Sequence, residues 1–150
     1  MALDRPVRTY VGPIEGEHVM MRGGSVVIKS NAALTGRPAM GTQQVLRGVG
    51  IPIHRHFEMD ETFYVLEGSG TFILDDVRYP IAKGGSIFIQ RKSWHGFENP
   101  DEELLLLWIM APPGVEGMFR DLGTPPGSVA VQRTKDDINR IAGKYGTEFR

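Results

Sequence analysis

The sequence contains no cysteine, which excludes a disulfide scaffold, a thiolate metal site and a cysteine nucleophile. It also lacks a membrane-spanning run, because the longest apolar stretch, residues 104–113, falls well short of the roughly 20 residues that a transmembrane helix needs. The first residues carry no apolar segment of the signal-peptide kind. Neither charge sign is in excess, with 17 Lys and Arg against 18 Asp and Glu. We therefore expect a cytoplasmic protein that binds neither nucleic acid nor membrane.

Glycine and proline are abundant, with 19 and 10 residues in a chain of 150, and they divide the sequence into short segments. Between residues 25 and 111 these segments read as short β-strands with turn residues every several positions. The length predicts a single domain. The pattern predicts an all-β sandwich or closed barrel over residues 25–111. An arm over residues 1–24 precedes it, and a helical extension over residues 112–150 follows and packs on the barrel or on a dimer partner.

The last strand and the helices carry more specific signals. Residues 104–110 are continuously apolar, so we expect a strand buried on both faces, and either face could line a pocket. One short helix is predicted over residues 115–122. A second is predicted over residues 134–145, where Thr134 and Asp137 have the spacing of a capping box.

Three of the four histidines lie between residues 54 and 95, together with a well-placed carboxylate. In a strand, residues i and i+2 share a face about 6.5–7 Å apart, so His54 and His56 point to one side and Arg55 to the other. Glu61 opens the next strand and can fold back beside this pair, and a Greek-key connection could bring His95 alongside. Such a set of nitrogen and oxygen donors suits Fe, Mn, Ni, Co or Zn. The alternative is that His54 and His56 are surface residues of an edge strand.

The same stretch resembles the cupin superfamily. The first cupin motif is matched in every spacing by Gly48, His54, His56, Glu61 and Gly68, and the second by Gly84, His95 and Asn99. Two positions depart from the second motif, with Gln90 where the family has proline and Lys92 where it has glycine. A glycine there permits a backbone conformation that costs other residues about 1–2 kcal/mol. We therefore expect the turn before His95 to differ in shape while His95 keeps its place.

This resemblance implies a cupin jelly-roll barrel with one or two short C-terminal helices. It implies a divalent transition metal inside the barrel, bound by His54, His56, Glu61 and His95. It also implies a small single-domain bacterial cupin, which is often a homodimer. Residues 104–123 look like bacterial cupins related to quercetin dioxygenases, which is a less specific match.

Strand alternation predicts which side chains would line a substrate pocket. Phe63 shares the face of Glu61, and Phe97 shares the face of His95. Trp108 is a further candidate on the strand over residues 104–110, and Gln44 could add a directional hydrogen bond. Such a pocket would be mostly apolar and aromatic, as small-molecule sites usually are. The alternative for the aromatic residues is plain core packing, and for Gln44 a solvent-facing position.

Three functions remain open at this point. The favoured one is a metal-dependent dioxygenase acting on a small aromatic or enol-type substrate, with Glu61 as ligand and as possible base. The second is a non-redox isomerase, lyase, cyclase or decarboxylase in which the ion acts as a Lewis acid. The third is a ligand-binding cupin without catalysis, or one whose ion is purely structural.

Overall fold

The computed structural model describes residues 13–30, 38–99 and 101–150. The first half of the predicted N-terminal arm, residues 1–12, and most of the loop predicted over residues 31–40 lie outside the described residues. The described chain forms eleven strands, two α-helices and one 3-10 turn. The strands are β1 (Glu17–Met21), β2 (Gly24–Ser30), β3 (Ala39–Val45), β4 (Gly50–His56), β5 (Asp60–Glu67), β6 (Ser69–Leu74), β7 (Val77–Ala82), β8 (Ser86–Ile89), β9 (His95–Glu98), β10 (Leu104–Ala111) and β11 (Thr147–Phe149). The helices are α1 (Val115–Leu122) and α2 (Lys135–Ala142), followed by the 3-10 turn Gly143–Tyr145.

Two antiparallel sheets face each other across the interior. One has six strands in the order β1-β2-β3-β10-β5-β8, and the other has five in the order β11-β4-β9-β6-β7. Alternate side chains of both sheets point inward and form one core, with Val26, Val65, Leu106 and Trp108 fully buried. The predicted all-β fold class with two short helices is confirmed. The division into arm, barrel and extension stays a prediction.

Strand β10 is buried on one face only, so the expectation of burial on both faces was wrong. Leu104, Leu106, Trp108 and Met110 are buried, while the positions between them are half-buried or exposed, up to 37% for Ile109. Because the outer positions are apolar as well, the sequence of this strand shows no alternation of apolar and polar residues. The structure therefore settles which face of this strand points into the barrel.

The C-terminal segment begins as predicted and then returns to the barrel. The Thr134 hydroxyl caps α2 by accepting a hydrogen bond from the backbone N–H of Asp137 at 3.1 Å. The helix ends at Ala142 and the 3-10 turn closes at Gly146, which has a left-handed φ of 64°. The next three residues form β11, which the sequence did not predict and which pairs with β4.

Candidate metal centre

The four predicted ligands come from three strands in two sheets. Strands β4 and β9 are neighbours in the five-stranded sheet, and His54 lies directly opposite His95. His56 shares the inward face of His54, as strand alternation predicts. Glu61 points inward from β5, which belongs to the other sheet. Glu61 thus faces the histidines across the barrel interior instead of folding back beside them.

The donor atoms of these residues converge on one point. One ligand atom from each of His54, His56, Glu61 and His95 lies within 4.8 Å of all the others. The Nε2 atom of His95 lies 3.1 Å from Oε2 of Glu61, and the Nε2 atom of His56 lies 3.4 Å from the same oxygen. All four residues are buried, with at most 6% exposure. The cluster could hold one metal ion.

Hydrogen bonds orient the three imidazole rings in the same way. Each Nδ1 atom faces an oxygen outside the cluster, which directs Nε2 toward Glu61. The partners are the Pro52 carbonyl for His54 at 2.7 Å, the Ser93 carbonyl for His95 at 3.0 Å and the Thr147 hydroxyl for His56 at 2.8 Å. Metal-binding histidines are usually oriented by such an outer partner.

The cluster contains a buried nitrogen that the described protein does not satisfy. Nε2 of His56 is shielded from solvent and has no hydrogen-bond partner among the described residues. Buried polar atoms are nearly always paired, so an orphaned lone pair that points at a carboxylate and two further imidazoles fits a bound cation. The residues present therefore fit a divalent transition metal.

The protonation states of the cluster suit a cation as well. Burial disfavours the charged form of Glu61, but its contacts with His56 and His95 outweigh burial and lower its pKa to about 2. Burial, followed by the proximity of His95 and His56, lowers the pKa of His54 well below its ordinary value. Glu61 is thus an anion and His54 is neutral at pH 7, the forms that bind metal. The base role predicted for Glu61 stays a prediction.

At Lys92, the turn before His95 has the left-handed backbone conformation that the motif glycine would permit, so the expectation of a different turn shape was wrong there. Lys92 has a φ of 72°, so a residue with a side chain adopts the left-handed region. Its backbone N–H donates to the carbonyl of His56 at 2.6 Å, which ties the turn to the strand that carries two of the ligands. The departure from the motif thus costs about 1–2 kcal/mol of backbone free energy. It does not displace His95.

A cavity of about 810 Å³ lies beside the cluster. Such a volume suits a small molecule. His54, His56 and Glu61 line it, and so do the predicted residues Phe63 and Phe97, whose rings pack edge-to-face at 5.0 Å. The lining is completed by apolar side chains that include Ile51, Met110, Met118, Phe119 and Phe149. The wall near the cluster is therefore largely apolar.

The remaining predicted pocket residues lie elsewhere or at the rim. Trp108 faces inward, but it is packed in the core against Phe119 at 5.6 Å and does not line the cavity. Gln44 borders the cavity, and its amide donates to Glu103 at 2.6 Å. Because side chains alternate along a strand, Gln44 lies on the face of β3 opposite the inward residue Val45. Gln43 lies on the inward face of this strand and lines the cavity, but it was not among the pocket residues predicted from the sequence.

Thr147 and Phe149 are further site residues that the sequence did not indicate. Both lie on β11, where Thr147 contacts His56 and the ring of Phe149 stacks on His54 at 5.2 Å. A three-residue strand is too short to show a period, and neither residue type is a metal ligand. The only available signal was Gly146, which closes the preceding 3-10 turn and predicts a change of direction without saying where the chain goes next.

The fold and this cluster define a double-sheet barrel with a buried His/His/Glu/His centre. Residues 41–110 match the Cupin_2 family, described as a cupin domain, and the resemblance to cupins is thereby confirmed. This part of the chain, somewhat less than half of the sequence, resembles a cupin domain.

Three relatives show what the chain is similar to. An RmlC-like cupin from Shewanella frigidimarina superposes with a TM-score of 0.61 at 19% identity, over 70% of this chain and 91% of that one. A predicted oxalate decarboxylase from Thermotoga maritima superposes with a TM-score of 0.53 at 25% identity, over 63% of this chain and 89% of that one. The uncharacterized protein MJ1618 of Methanocaldococcus jannaschii is 34% identical over 80 residues, which is 49% of this chain and 64% of that protein. The chain thus matches somewhat less than two thirds of that curated relative. In the described part of the chain, no helix has the length and apolar character needed to cross a membrane.

Proposed function

We propose that this protein is a metal-dependent dioxygenase that acts on a small aromatic or enol-type substrate. The observation that carries the proposal is an apolar, aromatic cavity of about 810 Å³ that reaches a buried cluster of three histidines and one glutamate. Fe, Mn, Ni or Co held by such a cluster would supply Lewis acidity and redox chemistry, with open positions beside four protein ligands.

The side chains of the site have separate roles in this proposal. His54, His56, Glu61 and His95 hold the metal, and the anionic carboxylate of Glu61 offsets part of its charge. Phe63 and Phe97 bind and orient a flat substrate, because both line the cavity and Phe63 shares the inward face of Glu61. The apolar wall excludes water from the reacting groups. Gln44 and Trp108 stay weaker candidates for substrate contact, since one is paired with Glu103 and the other lies in the core.

An oxygen electrode tests the proposal directly. The protein is stripped of metal, loaded in turn with Fe(II), Mn(II), Ni(II), Co(II) and Zn(II), and assayed against phenolic and diketone compounds. We expect oxygen uptake with at least one redox-active ion and none with Zn(II), which has no redox chemistry. His56→Ala should abolish the uptake. Absence of uptake with every ion across a broad panel would refute the proposal.

The second candidate is a non-redox enzyme that uses the ion as a Lewis acid, such as an isomerase, lyase, cyclase or decarboxylase. It is favoured by the similarity, at 25% identity, to a predicted oxalate decarboxylase. Turnover that persists with Zn(II) and without oxygen would identify this alternative. A ligand-binding cupin without catalysis would show metal and ligand binding but no turnover under either condition.

The proposal also includes a cytoplasmic homodimer. The absence of cysteine supports a reducing compartment. Light scattering measures the oligomeric state, and a monomer at micromolar concentration would contradict the dimer.

A further inference from the structure

Strand β11 covers the two histidines of β4 from the side. Thr147 pairs with His56 and Phe149 pairs with His54 in the antiparallel register. Because side chains alternate along a strand, both residues of β11 point to the same side as the histidines they oppose. Thr147 is 1% exposed and contacts the His56 ring, and Phe149 stacks on the His54 ring at an angle of 25°.

His56 differs from the other two histidines in the kind of partner that orients it. His54 and His95 face main-chain carbonyls two residues earlier in the sequence, which are local and can only accept a hydrogen bond. His56 faces the hydroxyl of Thr147, which is 91 residues away and can either accept or donate. The orientation and tautomer of His56 therefore depend on the docking of a distant segment.

The docking of β11 is secured by contacts outside the cluster. From α2, the Asn139 amide donates to the carbonyl of Phe149 at 3.0 Å and accepts from its N–H at 2.7 Å. On the outer face, Glu148 pairs with Arg55 at 2.7 Å, and the guanidinium of Arg55 lies 4.3 Å from the centre of the Trp94 ring. The backbone of the 3-10 turn adds a hydrogen bond from the N–H of Phe57 to the carbonyl of Gly146 at 2.8 Å. These contacts hold Thr147 at hydrogen-bonding distance from His56.

We propose that β11 is a positioning element of the metal centre, in which the Thr147 hydroxyl accepts the Nδ1–H of His56 and so leaves the Nε2 lone pair for a divalent metal. The inference rests on the ligand set of the proposed function, and it holds whichever reaction that site performs. Coupling between two equilibria is reciprocal. A metal bound at the cluster therefore stabilises the docked strand by the same factor by which docking of the strand tightens metal binding.

Metal affinity of the full chain tests the role of Thr147 without any assay of turnover. Zn(II) and Mn(II) are titrated into metal-free protein by calorimetry or by competition with a chelator. Thr147→Val keeps the shape of the side chain but removes the hydroxyl, and we expect metal affinity to fall about 10- to 100-fold. Thr147→Ser retains the hydroxyl and should stay within about threefold of wild type, well short of that loss. Thr71→Val makes the same change on β6, outside the cluster, and should leave the affinity unchanged.

Amide hydrogen exchange tests the reciprocal half of the proposal in the wild-type chain. We expect Zn(II) to slow the amide exchange of residues 147–149. The fold decrease in exchange rate should be at least as large as the fold loss of metal affinity caused by Thr147→Val. Thr147→Val that binds metal as tightly as wild type, or exchange at β11 that is unaffected by metal, would overturn the inference. If Thr147→Val does not fold, the exchange experiment and Thr147→Ser decide. A wild-type chain that binds no metal overturns the ligand set as well, which separates that failure from a failure of the role of Thr147 alone.

Discussion

Replacement of His95 by alanine removes a ligand and breaks a buried pair in one step. The side chains of His95 and Glu61 are 1% and 2% exposed, and their closest atoms lie 3.1 Å apart. Among the described residues, a ring nitrogen of His95 forms the hydrogen bond to the Glu61 carboxylate. The variant therefore leaves a buried anion with only the more distant Nε2 of His56 beside it, at 3.4 Å.

Two contributions to the stability of this variant can be separated. Loss of a hydrogen-bond partner from a buried carboxylate costs about 1.5–3 kcal/mol. For a domain of this length, about 1 kcal/mol shifts the melting temperature by roughly 2–4 °C, so the metal-free variant should melt roughly 3–12 °C below the metal-free wild type. Free metal at a hundred times its dissociation constant should stabilise the wild type by about 2.7 kcal/mol. The variant should gain none of this.

Thermal unfolding with and without a chelator measures both contributions, and calorimetric titration with Zn(II) or Mn(II) measures binding itself. His18→Ala is the matched control, because His18 is an exposed histidine on β1 outside the cluster. This control should change the unfolding free energy by less than about 0.5 kcal/mol. If His95→Ala binds metal with wild-type affinity, the ligand set is wrong. If its metal-free melting temperature equals that of the wild type, the reasoning about the buried pair is wrong.

Three further predictions concern the scaffold and the metal-free state. Asn99→Ala should destabilise the protein by about 2–3 kcal/mol in urea unfolding, because the buried Asn99 amide donates to three main-chain carbonyls; a loss below 1 kcal/mol would contradict this role. Thr134→Ala should cost about 1 kcal/mol, measured in the same way, since it removes the cap of α2, and Thr134→Ser should restore most of it. The metal-free protein should lose stability as pH falls below 6.5, because the unfolded chain then binds a proton at His54 that the folded chain does not. The expected slope is about 1.4 kcal/mol per pH unit for this one group; denaturant midpoints at pH 7.5, 6.5 and 5.5 in a chelator check it, and midpoints that do not change would contradict it.

The sequence predicted those parts of the site that depend on local geometry. Alternation within a strand places His54 and His56 on one face, and it places Phe63 on the face of Glu61. These relations follow from the strand period of two and need no knowledge of the fold. The spacing of the motif residues added His95, and the structure brings it directly opposite His54.

Local patterns failed where several arrangements satisfy the same pattern. The inner and outer residues of β10 are both apolar, so the sequence could not say that Leu106 and Trp108 face inward while Leu105 and Leu107 do not. Gln43 and Gln44 pose the same problem on β3, since two identical residue types occupy opposite faces. In each case the neighbouring strands bury one face of the strand, and this determines which residues point inward.

By itself, the sequence predicted an all-β sandwich or closed barrel from strand period, and its resemblance to the cupin motifs implied the residues of the His/His/Glu/His cluster. The tertiary structure decided that Glu61 faces the histidines from the opposite sheet, and that Thr147 completes the orientation of His56 from β11. The second contact joins residues 91 positions apart through a strand of only three residues. No local pattern encodes such a contact, since it exists only once α2 and the turn at Gly146 have returned the chain to the barrel.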